Sequence, residues 1–238
     1  MVAFELAVQD AYGLSVAARL GVDRIELCSA LPLGGVTPSL ALIEAAAGGP
    51  PAHVLVRPRT GGFAYSPDEV ALTIRDVGHA IAAGASGVVI GGLRDGDVDR
   101  ELVARVVEAA GPATVTFHRA FDALPDPVGA LDTLAGLGVR RVLTSGGPGT
   151  VSSGLPGLAK LVSAAAGRIE IMAGGGVTPA LVEALIEAGV DAVHASAKRT
   201  VADATGLPLG SAADGRATRE TTDEAEVTRI LTALRPAP

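Results

Sequence analysis

The sequence predicts a single α/β domain, residues 1–238, folded as a (β/α)₈ or TIM barrel. Three observations support this fold class. Short segments rich in β-branched residues alternate with longer segments of helical periodicity, and eight such rounds can be counted. The length of 238 residues suits one barrel of this kind. The alternative is an open Rossmann-like sheet, but no predicted strand is followed by Gly-x-Gly-x-x-Gly with an acidic residue downstream.

The predicted elements follow one another regularly along the chain. The strands are residues 3–8, 23–28, 53–56, 87–90, 112–117, 141–144, 169–172 and 192–195. The helices cover residues 15–20, 100–110, 127–137, 155–166 and 224–234, with others that begin after 37–39, at 66–67 and at 178–179. Ser66-Pro67 and Thr178-Pro179 mark two of these starts, because Ser and Thr cap helices and Pro favours the first helical position.

Residues 199–217 interrupt this alternation between the eighth predicted strand and the last helix. They are rich in Gly, Ala and Asp and show no periodicity, so we expect a long loop there. In a barrel this loop would lie over the face that carries the site. A functional lid over the site and a flexible loop without a function both fit the pattern.

The composition limits the classes of partner. A formal net charge of −7 argues against nucleic acid, since neutralising phosphates needs a basic surface. No apolar run reaches membrane-spanning length, and the N-terminus lacks the pattern of a signal peptide. Cys28 is the only cysteine, so an internal disulfide is impossible. We therefore expect a cytoplasmic protein without a membrane partner, whose ligand is a small molecule or a metal ion.

The segment Thr-Phe-His-Arg-Ala-Phe-Asp at residues 116–122 gives the strongest indication of a site. It places His118, Arg119 and Asp122 at the end of the fifth predicted strand. Ionisable groups rarely lie beside a buried strand unless they are paired or used. Barrel proteins build their sites at the carboxyl ends of strands. An Arg–Asp pair that closes the turn between strand and helix is the structural alternative.

Other predicted strands also carry polar residues at or near their ends. These residues are Glu5, Glu26, Cys28, Arg57, Arg59, Thr144, Ser145, Met172, His194 and Ser196. Side chains alternate along a strand, so Glu26 shares a face with Cys28, and Arg57 with Arg59. We expect the group to meet at the mouth of the barrel, as a functional site or as a polar plug of Glu–Arg pairs.

Two kinds of chemistry fit these residues without a metal. Acid–base chemistry would use Glu26 or His118 as the base, with Arg57 or Arg59 holding a substrate carboxylate or phosphate. Anion binding would use the backbone amides of the Gly-rich segment 173–176 and the helix start behind it.

Metal binding is the third kind of chemistry. His118 and His194, together with Glu5 or Glu26, offer ligands for a divalent ion. Cys28 and Met172 offer soft ligands for Cu(I). No two of these residues lie at a short ligand spacing, so the sequence pattern favours metal binding least.

The candidate residues divide into three groups by role. The candidates for catalysis are Glu26, His118 and Asp122. The candidates for substrate or anion binding are Arg57, Arg59, Arg119, Ser145, Gly174, Gly175, Gly176, His194 and Ser196. The candidate metal ligand is Cys28.

A set of motifs in this sequence resembles the CutC copper homeostasis protein family. The motifs are residues 24–28 (Arg-Ile-Glu-Leu-Cys), 34–39 (Gly-Gly-Val-Thr-Pro-Ser), 56–59 (Val-Arg-Pro-Arg), 115–122 (Val-Thr-Phe-His-Arg-Ala-Phe-Asp), 141–146 (Arg-Val-Leu-Thr-Ser-Gly), 171–174 (Ile-Met-Ala-Gly) and 193–196 (Val-His-Ala-Ser). The resemblance covers essentially the whole chain. It implies a cytoplasmic, homo-oligomeric TIM barrel that binds copper.

The chain departs from this family pattern in its thiols. Members of the family often carry cysteines at the end of the first strand, where this chain has Ala7, Val8 and Gln9. Because Cu(I) is held by soft ligands, we expect weak Cu(I) binding of at most one ion per chain, dependent on Cys28. The alternative function is a metal-independent TIM-barrel enzyme that acts on a small phosphate- or carboxylate-bearing compound.

Overall fold

The computed structural model describes residues 1–202 and 218–235, which form a closed barrel of eight parallel strands. The strands are Ala3–Val8, Arg24–Leu27, Ala52–Leu55, Gly87–Ile90, Thr114–Phe117, Arg141–Thr144, Glu170–Gly174 and Ala192–Ala195. Each strand pairs with the next one along the chain. The eighth closes the barrel against the first, with His194 opposite Glu5. The predicted fold class is therefore confirmed.

An α-helix follows each barrel strand within the described ranges. The helices are Ala11–Leu20, Leu40–Ala45, Pro67–Ala82, Arg100–Ala110, Pro127–Gly136, Val151–Ala165, Val182–Glu187 and Glu224–Leu234. The third helix begins as predicted, because the Ser66 side chain accepts from the Glu69 amide and the Glu69 carboxylate accepts from the Ser66 amide. None of these helices combines the length and apolar character needed to cross a membrane.

The first helix begins earlier than the sequence predicts. It starts at Ala11 rather than at residue 15. The side chain of Asp10 accepts a hydrogen bond from the Gly13 amide and caps the helix there. The helix ends at Leu20, and the Gly21 that follows has a φ of 63°, in the left-handed region that glycine adopts readily.

The sixth helix also begins earlier, at Val151 rather than at residue 155. Gly154, Pro156 and Gly157 are typical of loops, yet they lie inside this helix. A Cβ atom at Gly154 would lie 1.8 Å from the carbonyl oxygen of Ser145. The glycines therefore let the helix pack directly on the backbone that follows the sixth strand.

The segment predicted as a loop at residues 199–217 is partly regular. Lys198–Ala202 pairs in antiparallel fashion with Thr218–Thr222. Gln9 Nε2 donates to the Glu220 carbonyl at 2.9 Å, which ties this hairpin to the end of the first strand. The remainder of the predicted loop, residues 203–217, lies outside the described residues.

The apolar core lies between the strands and the helices, while part of the barrel interior is polar. In the first strand, Phe4 and Leu6 are fully buried in the apolar core. Glu5 lies between them in sequence and is also fully buried, but it meets side chains from other strands across the interior. Arg24 Nε donates to Glu5 at 2.7 Å, and Arg141 lies 3.3 Å from His53 Nδ1. These contacts place polar groups in the interior, and of the two only Arg24–Glu5 is a Glu–Arg pair of the kind expected for a polar plug.

Candidate functional site at the barrel mouth

A cavity of about 390 Å³ opens at the carboxyl ends of the barrel strands. Its polar lining comes from Glu26, Arg57, His118, Arg119, Gly175, Gly176, His194 and Ser196. Leucine side chains, Phe63 and Val177 supply the apolar part of the wall. The barrel thus brings together candidate residues from five different strands and the loops after them. This volume suits a small-molecule ligand.

Two glutamates flank the imidazole of His194. Its Nδ1 atom lies 2.8 Å from Glu5 Oε1, and its Nε2 atom lies 3.7 Å from Glu26 Oε2. One donor atom from each of the three residues lies within 4.8 Å of the others. Carboxylate and imidazole donors at this separation form a group that can hold a divalent metal ion.

The three groups shift one another's pKa values. Burial raises the pKa of Glu26 to about 7, although the charge of His194 opposes this shift. Burial would also raise the pKa of Glu5, but its hydrogen bond to His194 and the nearby cationic groups outweigh burial and hold the pKa well below its ordinary value. Burial lowers the pKa of His194, and the two carboxylates reverse this effect and raise it. The environment therefore favours the carboxylate form of Glu5, whereas it raises the pKa of Glu26 into the neutral range.

Arg57 is buried in the wall of the cavity. Its guanidinium donates to backbone carbonyls, at 2.9 Å to Gly35 and at 2.6 Å to Gly61. It also lies over the ring of Phe63, 5.2 Å from the ring centroid. Its Nε atom is buried and has no hydrogen-bond partner among the described residues.

His118 is held as a neutral imidazole. Its Nδ1 atom accepts from the Ala120 amide at 3.1 Å, so the neutral ring carries its proton on Nε2. That Nε2 atom is buried and has no partner within the part of the chain that the structure describes. Burial, aided by the charge of Arg57, lowers the pKa of His118 to about 3. The ring of Phe63 packs on the imidazole at a centroid distance of 4.9 Å.

Arg119 and Asp122 form an ion pair at the turn between strand and helix, the structural alternative expected for this segment. Arg119 Nε donates to Asp122 Oδ2 at 2.8 Å, and the guanidinium also donates to Ser145 Oγ at 3.0 Å. Asp122 accepts further bonds from the Ser145 hydroxyl and amide and from the Thr144 hydroxyl. Its carboxylate is therefore saturated. Asp122 and Ser145 hold Arg119 in place, and only Arg119 of the three lines the cavity.

The Gly-rich segment after the seventh strand contributes backbone to the cavity. Gly175 and Gly176 line it, and both have positive φ angles, 104° and 88°. A Cβ atom at Gly175 would lie 2.8 Å from Arg119 Nη1, so the guanidinium packs on this backbone. Gly174 lies behind the lining, in contact range of Leu143 and His194.

Besides Asp122, Ser145 and Gly174, which lie behind the lining, two further candidates lie apart from the cavity. Arg59 lies outside it, where it pairs with Glu69 and binds backbone carbonyls of its own loop. Cys28 is fully buried beside Leu55 and Val89. Burial and the charge of Glu26 raise the pKa of the Cys28 thiol, which disfavours the thiolate.

Three residues that contribute to the site, Arg24, His53 and Phe63, were not among the predicted site residues. Arg24 anchors the buried oxygen of Glu5, and His53 lies 3.7 Å from that carboxylate. The ring of Phe63 packs against both the Arg57 guanidinium and the His118 imidazole. Of the three, only Phe63 could have been singled out from the sequence, because it is an aromatic residue in a Gly-rich loop of a chain with 3% aromatics.

The fold and the site define the class of this protein: a TIM barrel with a compact acidic, basic and imidazole cluster at the mouth. The CutC family model matches residues 2–199, and the chain belongs to the CutC family. A CutC family protein of Agrobacterium fabrum is 42% identical over 236 residues, which cover 97% of this chain and 93% of the relative. A human relative named copper homeostasis protein cutC homolog is 42% identical over 200 residues, 82% of this chain and 73% of that protein.

Solved structures agree with this assignment. The crystal structure of a CutC copper homeostasis protein from Streptococcus agalactiae superimposes with a TM-score of 0.78 and 30% identity, and covers 82% of this chain and 99% of that one. A 3-hexulose-6-phosphate synthase gives a TM-score of 0.62 at 18% identity over 98% of this chain and 100% of that one, a likeness of fold alone.

Proposed function

We propose that this protein binds copper at the mouth of its barrel and serves in copper homeostasis, the role that the names of its relatives denote. The observation that carries the proposal is the group of Glu5, Glu26 and His194. Family membership supports the identity of the metal, and the donor group supports its location. Both favour this function over a metal-independent enzyme.

The three residues of this group have different roles in the proposed site. Both oxygens of Glu5 are engaged, one by Arg24 at 2.7 Å and the other by His194 Nδ1 at 2.8 Å. Glu5 therefore fixes the orientation of the imidazole, as carboxylates behind metal-bound histidines do. The Glu26 carboxylate and His194 Nε2 remain as the two ligands. Two protein ligands leave further positions for solvent or a small molecule.

The donor types favour Cu(II) as the ion. Imidazole and carboxylate ligands suit divalent ions, among which Cu(II) binds most tightly, whereas Cu(I) prefers thiolate and thioether sulfur. Cys28 is buried with a raised pKa, and the Met172 sulfur already accepts from Arg24 at 3.1 Å. Weak Cu(I) binding at Cys28 stays as the competing prediction from the sequence.

Calorimetric titration with Cu(II) and competition titration with a Cu(I) chelator test the proposal on the same variants. Wild type is expected to bind one Cu(II) per chain. Glu26→Gln and His194→Ala each remove one ligand and are expected to lose at least about tenfold in Cu(II) affinity. Glu44→Gln, at an exposed glutamate on the second helix, is the matched control and should bind as wild type does.

Cys28→Ser separates the two copper proposals. It is expected to leave Cu(II) affinity unchanged. Electron paramagnetic resonance of the Cu(II) complex should show coupling to one imidazole nitrogen ligand, and His194→Ala should remove it. Copper binding that survives both ligand variants and disappears in Cys28→Ser would reject the Glu26–His194 site and establish the thiol as the ligand.

A cytoplasmic location and a homo-oligomeric state are also part of the proposal, and both rest on resemblance to the family. Sedimentation at micromolar protein concentration tests the second. A single monomeric species would contradict it.

A further inference from the structure

Arg57 is a buried cation for which the described residues provide no carboxylate partner. Its guanidinium donates to the carbonyls of Leu33, Gly34, Gly35 and Gly61, all of which are neutral groups. The Nε atom has no partner among the described residues. A buried charge is costly unless a counterion compensates it.

The other buried arginines of the described chain are neutralised. Arg24 pairs with Glu5 at 2.7 Å, and Arg141 pairs with Glu170 at 2.7 Å. The Glu5 carboxylate of the first pair is fully buried, whereas the Glu170 carboxylate of the second is partly exposed. Arg57 differs from these two arginines in that it also lines the open cavity. The missing counterion can therefore be supplied by a ligand.

Further hydrogen-bond donors line the same cavity. The amides of Gly175 and Gly176 donate to no acceptor within the described residues. Arg119 packs on Gly175 and is fixed there by Asp122 and Ser145. His118 also lines the cavity, but its unpartnered Nε2 atom is buried in the wall, so it is not counted among these donors. Backbone amides and guanidinium groups together are the usual partners of phosphate and carboxylate oxygens.

We propose that the cavity binds a small organic anion, a phosphate or carboxylate compound, whose negative group serves as the counterion of Arg57. Arg119 and the amides of Gly175 and Gly176 supply further donors to the anion. The volume of about 390 Å³ leaves room for a small organic body beside the charged group. This anion site does not depend on copper, although the two would share one cavity.

Titration of chelator-treated protein with inorganic phosphate tests the proposal. Binding is measured by calorimetry and by the rise in melting temperature. Wild type is expected to bind one phosphate per chain saturably. Arg57→Gln should lose at least about tenfold in affinity, the size of a charge-assisted hydrogen bond. Arg57→Lys should retain part of the binding because it keeps the charge. Arg105→Gln, at an exposed arginine on the fourth helix, is the matched control.

Arg119→Gln provides a second test in case the Arg57 variants do not fold, because Arg119 does not anchor the two loops that contain Gly34 and Gly61. It is also expected to weaken phosphate binding. Absence of saturable binding to wild type, or wild-type affinity in every folded variant at Arg57 and Arg119, would overturn the proposal.

Glu26→Gln distinguishes this inference from the proposed copper function. It removes a carboxylate from the cavity wall, so it should bind phosphate at least as tightly as wild type while losing copper. Loss of phosphate binding as well in this metal-free variant would mean that the anion is held through Glu26 rather than as the counterion of Arg57, which would reject the proposed anion site. Retained phosphate binding together with absent copper binding in wild type would reject the copper function alone.

Discussion

Glu5 Oε1 lies 2.8 Å from His194 Nδ1, and this contact connects the interior of the barrel to its mouth. The carboxylate is fully buried and anchored from behind by Arg24. Because Nδ1 is engaged, the other ring nitrogen faces Glu26 at 3.7 Å. The orientation of the imidazole is thus set by a residue that does not line the cavity.

Replacement of Glu5 should affect both stability and the site. Glu5→Gln leaves the buried Arg24 without its counterion, so we expect the free energy of unfolding to fall by about 3–5 kcal/mol. It should also weaken metal binding by about 10–100-fold, the usual effect of losing the partner behind a metal-bound histidine. Urea denaturation and Cu(II) titration measure the two effects. An unchanged free energy of unfolding would show that the Glu5–Arg24 pair is not formed in solution.

Asp122 should stabilise the fold more than a comparable surface aspartate. Asp122→Asn removes the charge that Arg119 and two hydroxyl groups converge on, and we expect a loss of about 2 kcal/mol in the free energy of unfolding. Asp132→Asn is the matched control, since its pair with Arg168 is exposed on both sides and should contribute little. Equal effects of the two substitutions on urea denaturation would contradict the network around Asp122.

His118 should make the protein sensitive to acid. Its pKa is about 3 in the folded state and near 6.5 when unfolded, so between these values the unfolded chain takes up a proton that the folded protein excludes. Stability should therefore fall as the pH drops from about 6.5 towards 3, by up to about 1.4 kcal/mol per pH unit for this one group. His118→Asn keeps an acceptor for the Ala120 amide but does not titrate, so it should reduce the slope.

Urea denaturation across this pH range measures the effect of His118. His79→Gln, at an exposed histidine on the third helix, is the control and should keep the wild-type slope. Some acid sensitivity should remain in His118→Asn, because burial lowers the pKa of His53 to about 4 as well. A slope identical to wild type in His118→Asn would mean that the imidazole is not buried as described.

The fold could be predicted because its signals are local. Periodicity and the Ser66-Pro67 helix start depend only on neighbouring residues, and all eight strands formed close to their predicted bounds. The start of the sixth helix could not be predicted in this way. Gly154 and Gly157 indicate a loop unless one knows that the backbone of Ser145 and Gly146 lies against them.

The site could be predicted only as a group of strand ends. Glu26, Arg57, His118 and His194 met at the mouth because all parallel strands end there. Arg59 was grouped with Arg57 on the assumption that alternation continued, but the third strand ends at Leu55 and the chain then turns. The partners of Glu5 depend on register across the barrel, which the sequence of one strand does not contain.

The close contact between the sixth helix and the loop after the sixth strand gives the last prediction. A Cβ atom at Gly154 would lie 1.8 Å from the Ser145 carbonyl oxygen, so Gly154→Ala must push the helix away from this loop. We expect a loss of about 3 kcal/mol in the free energy of unfolding, the upper range for overpacking. Gly78→Ala is the matched control within a helix, since no atom lies within 4 Å of its added Cβ. There the free energy of unfolding should rise by about 0.5–1 kcal/mol, because alanine restricts the unfolded chain.

The displacement in Gly154→Ala should also reach the cavity. Ser145 would move with the loop, and its hydroxyl holds Arg119 at 3.0 Å. Phosphate affinity should therefore fall in Gly154→Ala and stay at the wild-type value in Gly78→Ala, although neither glycine lines the cavity. Urea denaturation and phosphate titration of the two variants side by side measure both effects. If Gly154→Ala is as stable as Gly78→Ala, the helix does not lie on the Ser145 backbone, and the support of Arg119 from this loop is refuted.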